Sequence, residues 1–299
     1  MGRHGIDRRV PAIGTEQPPD HGAWTSRRLT GGLGLSFTTE AGGWVSPGTG
    51  RLILAPLAGE ASEPVAAYEL ARRRGLVILP GTGVKGAVRT LFEVVTGSCD
   101  PFDSRCRPRS MCPACAVFGR LGFTGRLSFR DAKANDGVAV AVRKVPVPHD
   151  PDRDKTRGEV RLYDLRRASE RLRGERSDRR LPEVLPREAA TGAFAGALDF
   201  WNLDAGELGA VLLCLGLSPE EGERFPLRLG GVKYHGQGAV RVAVTGARAV
   251  TGPLERETLD AETAGRAAAR WLATGRQWLG LPGMAKLAEL AAILGGGAS

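Results

Sequence analysis

The sequence predicts an α+β fold, and three observations lead there. Strand-like alternation of apolar and polar residues recurs along the chain, as in Leu33–Thr39, Gly125–Asp131 and Gly196–Trp201. An apolar stripe at helical spacing runs through Val84, Val88, Leu91, Phe92 and Val95. These segments order themselves as two strand–helix–strand passes, and no internal repeat of fixed period suggests a solenoid. A chain of 299 residues with 42% hydrophobic content can bury a large core, in one big domain or two small ones.

Residues 1–28 are polar and rich in charge, with Pro18 and Pro19, and read as an N-terminal arm. Leu33–Thr39 is the first strand, and the glycine-rich run 42–50 is a loop. Arg51–Leu57 reads as a short strand, Glu63–Arg74 as a short helix, and Leu76–Leu79 as an apolar run before a Pro-Gly turn. The helix Val84–Val95 follows, then a cysteine loop at 99–115 and the strand Gly125–Asp131. Residues 133–190 are dense in charge and poor in apolar side chains, so they read as an insertion with some helix near 164–174. After the strand Gly196–Trp201 comes a buried helix, Ala205–Leu217. Pro226–Val244 then reads as strand, glycine-rich loop and strand. The segment 251–299 is helical, in two pieces near Leu259–Ala273 and Pro282–Leu294.

Lys and Arg number 42 against 33 Asp and Glu, a net charge of +9. Such a balance favours a polyanionic partner. Abundant Arg, Ala and Gly in the composition would give the same excess without one. No apolar run approaches the roughly 20 residues that span a bilayer, and the N-terminus carries no signal-peptide core, so a cytoplasmic protein is expected.

Three features carry chemistry. Pro80-Gly-Thr-Gly83 opens the helix that bears Lys85 and Arg89 one turn apart. Free N–H groups at a helix start attract anions, and glycine such as Gly81 lets a phosphate approach. An ordinary turn with solvated cations would have the same sequence, and no Walker A pattern is present. Cys99, Cys106, Cys112 and Cys115 follow the spacing C-x6-C-x5-C-x2-C. The Cys112-Pro-Ala-Cys115 knuckle suits two thiolates on one ion, and four could close a structural Zn2+ site. Cys214, inside VLLCLGL, reads as core. Finally, Gly230, Gly231, Gly236 and Gly238 surround Lys233, Tyr234 and His235. This loop suits sugar-phosphate contact with a stacked base, or a plain glycine hairpin. His235 is the one histidine placed for acid–base work. In the insertion, Arg143, Lys144, Arg153, Lys155 and Arg157 fit either a solvated loop or an arm that clamps RNA.

Several of these motifs, in this order, resemble one family. Ile78–Arg89 (ILPGTGVKGAVR) looks like the IPGSSLKGALR segment of the RAMP superfamily of CRISPR-associated RNA-binding proteins. Cys112–Gly119 (CPACAVFG) followed by Gly125–Ala132 (GRLSFRDA) is similar to its CPxCxLFG…GRLxFxDA. Phe194–Leu203 and Arg228–Gly238 match its later strand and glycine-rich loop, so the resemblance covers about 33–245.

The resemblance is strongest to backbone subunits of type III effector complexes. It implies a ferredoxin-like, RRM-type core at 29–250 with a projecting thumb at about 133–190. It implies a subunit of a multisubunit ribonucleoprotein complex in antiviral defence, binding CRISPR guide RNA and presenting it to target RNA beside other RAMP subunits. Lys85 and Arg89 would contact guide phosphates, and Gly81, Gly230, Gly231, Lys233 and Tyr234 would line the RNA path. Some such subunits cut target RNA with an aspartate in the loop after the first strand. Residues 40–50 contain none, and Asp150, Asp152 or Asp154 could reach a cutting site only from the insertion. Other RAMP members process precursor RNA as metal-independent endoribonucleases, a role for which His235 would be the base.

Overall fold

A computed structural model describes residues 3–7, 24–59, 63–99, 106–107, 109–146, 159–163, 184–252 and 255–295. In chain order the strands are β1 (Arg3–Asp7), β2 (Leu29–Thr39), β3 (Gly48–Ala55), β4 (Val65–Leu70), β5 (Arg72–Arg73) and β6 (Leu76–Leu79). Next come β7 (Gly119–Arg120), β8 (Phe123–Thr124), β9 (Leu127–Phe129), β10 (Ala132–Ala134), β11 (Ala139–Pro146) and β12 (Glu159–Tyr163). The last are β13 (Val184–Thr191), β14 (Ala193–Leu203), β15 (Leu227–Arg228), β16 (Ala239–Val250) and β17 (Arg256–Leu259). The helices are α1 (Gly81–Val95), α2 (Pro113–Phe118), α3 (Ala205–Cys214) and α4 (Ala261–Leu294).

The central sheet is ordered β15-β16-β2-β14-β10-β6-β5, with β9 also on β14 and β17 on β16. Its neighbours β16/β2, β2/β14 and β14/β10 are all antiparallel. Helix α1 lies between β2 and β9–β10 in sequence, and α3 between β14 and β16. The spatial order is therefore last–first–third–second around two helical crossovers, which is the ferredoxin-like arrangement. The α+β expectation and its RRM-type core agree with this topology.

Alternation decides which face is buried. On β2, Leu33, Leu35 and Phe37 are each 1% exposed and lie opposite Leu198, Gly196 and Phe194 of β14. Helix α1 lays Val84, Val88, Leu91, Phe92 and Val95 on that face. Burying each such side chain contributes about 1.5–3 kcal/mol. Asp204 and Glu207 cap α3 reciprocally, Asp204 accepting from the Glu207 N–H and Glu207 from the Asp204 N–H. Helices α3 and α4 meet backbone to backbone. A Cβ on Gly209 would stand 1.8 Å from the Trp271 carbonyl oxygen, so this contact requires glycine.

A second sheet is ordered β11-β13-β4-β3. Its strand pair β11–β13 comes from the two ends of the charged stretch, and Ala189 and Ala190 are buried there. In a separate ribbon, β1 pairs with β12. The helix expected near 164–174 lies outside the described residues.

One local expectation is corrected. Glu63–Arg74 forms strands β4 and β5 rather than a helix. The Ala- and Arg-rich sequence favours a helix locally, but β3 and β13 supply ladder hydrogen bonds on both sides, and tertiary pairing overrides propensity. The C-terminal segment is helical in two pieces, as expected, and α4 joins them across the non-helical Gly280 (φ 61°, ψ −176°) just before Pro282. That run is integral to the core, with Leu272, Leu279, Leu287, Leu290 and Leu294 buried.

Candidate functional site

The Pro80 turn and the glycine-rich loop, about 150 residues apart in sequence, form two walls of one cleft. Its volume is about 520 Å³. Pro80, Thr82, Gly83 and Val84 make the first wall, and Arg228 to Gly231 with Lys233 make the second. A third wall comes from the second sheet, through Tyr68, Arg187, Pro47 and the start of β3 at Gly48 and Gly50. Arg187, Arg228 and Lys233 bring positive charge to the lining, which contains no acidic residue. Helix α1 points its start at this space with Pro80 as N-cap and no acid in its first turn.

The glycines serve different ends. Gly81 is buried, and a Cβ there would stand 2.0 Å from the Phe129 carbonyl oxygen; its N–H donates to Asp131 Oδ1 at 3.0 Å. Its need is close packing of α1 on the sheet. Gly230 has φ of 88° and backs onto Ser46, so it sets the shape of the second wall. Gly231 is exposed in that wall.

Lys233 begins a 3-10 turn, Lys233–His235. Its ammonium has no acidic partner among the described residues. Burial, and then repulsion from Arg228, lower its pKa below the ordinary lysine value. Tyr234 packs with Trp44, Val145, Ala189 and Val232. Its ring lies 4.3 Å from that of His235. Burial raises the Tyr234 pKa, against a smaller opposing pull from Arg187.

Lys85 and Arg89 sit away from this lining and are engaged inside the fold. Lys85 Nζ donates to the Leu127 carbonyl at 3.2 Å, and burial followed by repulsion from Arg89 lowers its pKa. Arg89 donates through Nε to Glu93 at 2.7 Å and through Nη1 to the Gly119 carbonyl at 2.8 Å. Its Nη2 reaches Cys115 Sγ at 4.0 Å. Asp152 lies outside the described residues.

The sulfurs of Cys99, Cys106, Cys112 and Cys115 all fall within 4.8 Å of one another, and none forms a disulfide. A tetrahedral ion about 2.3 Å from each thiolate would set sulfurs about 3.8 Å apart, so the donor set fits one metal ion. The Cys112 N–H points at Cys106 Sγ at 3.3 Å. The Cys115 thiol donates to Cys112 and draws its pKa down to about 4, while that bond raises Cys115. Burial pushes Cys99 up to about 12. Among these three, the free thiols favour one thiolate, whereas a bound divalent cation would ionise its ligands.

A family model described as the RAMP superfamily matches residues 63–216, more than half of the chain. The chain belongs to the RAMP superfamily. No curated protein matches it.

The RAMP match contains the Pro80 turn, the cysteine cluster and the second-sheet strands β4, β11 and β13. Family membership supports a CRISPR-related RNA-binding function. Among the described residues, no helix is long and apolar enough to cross a membrane. Three residues of this RAMP cleft were not singled out by sequence: Tyr68, Arg187 and Arg228. Tyr68 was hidden in a segment with helical propensity, and Arg187 in the charged stretch. Arg228 flanks the glycine loop, and its proximity to Lys233 was the available signal.

Proposed function

We propose that this RAMP protein is a guide-RNA-binding backbone subunit of a type III CRISPR effector complex. One observation supports the reading most directly. The two sequence motifs converge on one cleft whose lining has Lys233, Arg187 and Arg228 but no acid. Glycines at its rim allow a sugar-phosphate chain to approach. Groups of this kind grip phosphates and backbone shape, leaving base edges to pair with target RNA.

In this reading the cysteine cluster holds a structural Zn2+ that fixes the loop 99–115 on α1. The stretch 133–190, with β11 and β13 at its ends, is the thumb, and other RAMP subunits stack along the same guide. The subunit holds RNA without cutting it. In the loop 40–50, Glu40 is ion-paired with Arg241 at 2.6 Å, and no aspartate stands there.

The test is fluorescence anisotropy of the purified full chain with two single-stranded RNAs of unrelated sequence, over a salt series. Similar affinity for both and a steep loss with salt are expected. Affinity that tracks sequence would overturn the reading. Incubation with repeat RNA in EDTA should leave the RNA intact. Specific cuts that disappear in His235→Ala would reassign the chain as a processing endoribonuclease.

A further inference from the structure

Strand register places Leu52, Tyr68, Arg187 and Arg143 in one row across the second sheet. Leu52 pairs with Tyr68, Tyr68 with Arg187, and Arg187 with Arg143. Directly paired residues project on the same face. The row therefore carries two guanidinium groups side by side, and both rest on rings. Arg187 lies 4.5 Å from the Tyr68 ring centre, and Arg143 lies 5.9 Å from that of Trp44.

Elsewhere in the fold, several partly or fully buried arginines are held by carboxylates, Arg72 by Glu188, Arg89 by Glu93, Arg126 by Glu207 and Arg276 by Glu223, and buried Arg228 donates to the Gly236 and Gln237 carbonyls. Arg187 differs. Among the described residues it makes no ion pair and no hydrogen bond, and its Nε is buried without a partner. Its Nη1 end lies by two glycines. A Cβ on Gly48 would stand 3.8 Å from Nη1, and one on Gly231 3.6 Å, so both positions leave that end uncovered on the cleft side. An arginine fixed flat, kept from any acid and open at its fork is prepared for an anion from outside.

We infer that Arg187 is a phosphodiester clamp of the cleft and that Tyr68 is its positioning residue. This rests on the RNA-binding reading above. The ligand class follows from the surroundings: Lys233 and Arg228 share the same lining, so several anionic groups in succession are favoured over one isolated anion. A single-stranded RNA backbone supplies such a succession. The planar fork takes two oxygens of one phosphate, and the ring beneath holds the plane while leaving the donors in place.

The experiment measures RNA affinity of the full chain by anisotropy across a KCl series, with thermal melts as a folding control. Arg187→Gln should weaken binding about tenfold and lower the slope of log affinity against log salt by about 0.7, one phosphate contact on a single strand. Arg187→Lys should keep the slope but recover only part of the affinity, because the charge stays and the fork is lost. Tyr68→Phe should match the wild type. Tyr68→Leu should lower affinity with the slope unchanged, since the charge remains and its aim is lost. Wild-type binding with the same slope in Arg187→Gln overturns the clamp alone. A wild-type chain with no RNA affinity overturns the RNA-binding reading as well.

Discussion

Arg72 grips both carboxylate oxygens of Glu188, Nη1 on Oε2 at 2.6 Å and Nη2 on Oε1 at 2.7 Å. Arg72 belongs to β5 of the central sheet and Glu188 to β13 of the second, so the pair ties the sheets together. Glu188 also accepts from the Leu70 N–H at 2.8 Å. Burial pushes the Glu188 pKa up, but Arg72 and Leu70 outweigh it, and the carboxyl ends below its ordinary value. A depressed carboxyl contributes stability above its unfolded pKa, near 4.3, and loses it as pH falls through the folded value. Glu188→Gln should cost about 2 kcal/mol at pH 7, and part of the acid sensitivity below about pH 4.3 should disappear. Urea melts at pH 7 and pH 3.5 check both; an equal acid loss in variant and wild type would refute the assignment.

Metal analysis of the purified chain should find one zinc per molecule. Strong chelator should lower the melting temperature by about 10 °C, because four thiolates in a loop with little apolar content lose their cross-link. Cys112→Ser should reproduce the loss without chelator. A chain that melts at the same temperature with and without metal would show that the cluster braces nothing.

Arg89 joins the cysteine cluster to α1, since it contacts Cys115, the Gly119 carbonyl and Glu93. The Glu93 side chain is 3% exposed, so Arg89→Ala would remove the ion-pair partner of a buried carboxylate and should cost about 2 kcal/mol. The same change removes a cation beside the thiolates and should weaken zinc about tenfold in chelator competition. Unchanged stability and unchanged zinc affinity would leave Arg89 to act elsewhere.

Lys233 sets stability against binding. Its folded pKa is lowered, so the charged form is disfavoured in the native state. Native stability should therefore rise as pH climbs from that lowered value toward the ordinary value near 10.4. RNA affinity should fall over the same rise, as the ammonium deprotonates. Lys233→Met should raise the melting temperature and weaken RNA binding. A variant that is both less stable and equally tight would contradict this.

Much of the fold could be read from periodicity. The stripes on β2, β14 and α1 were visible because one face of each is buried and the other is not. The knuckle Cys112–Cys115 and the Pro80 turn were legible for a related reason, since their chemistry is local. Long-range pairing was not. Val65–Leu70 becomes a strand only because β3 and β13 flank it, and nothing in Ala66-Ala67-Tyr68 announces those neighbours. Arg187 was illegible for the same cause. Its role depends on Tyr68, more than a hundred positions earlier, and on the absence of an acid at its side. Lys85 and Arg89 read in sequence as phosphate contacts or as solvated cations, yet Lys85 donates to a carbonyl and Arg89 to a carboxylate, a carbonyl and a sulfur within the fold.

The cleft draws its walls from positions 47–50, 68, 79–84, 187 and 228–233. Its second wall is held by the ladder between β15 and β16, and β16 must itself find β2 at the opposite end of the chain. During synthesis, then, the cleft is not complete until about residue 250 has emerged from the ribosome. A truncated product that ends within α3 would carry the Pro80 turn, Tyr68, Arg187 and the whole cysteine cluster and still lack the second wall of the cleft. The cleft is thus assembled in the order of synthesis, and its last wall is the one that closes it.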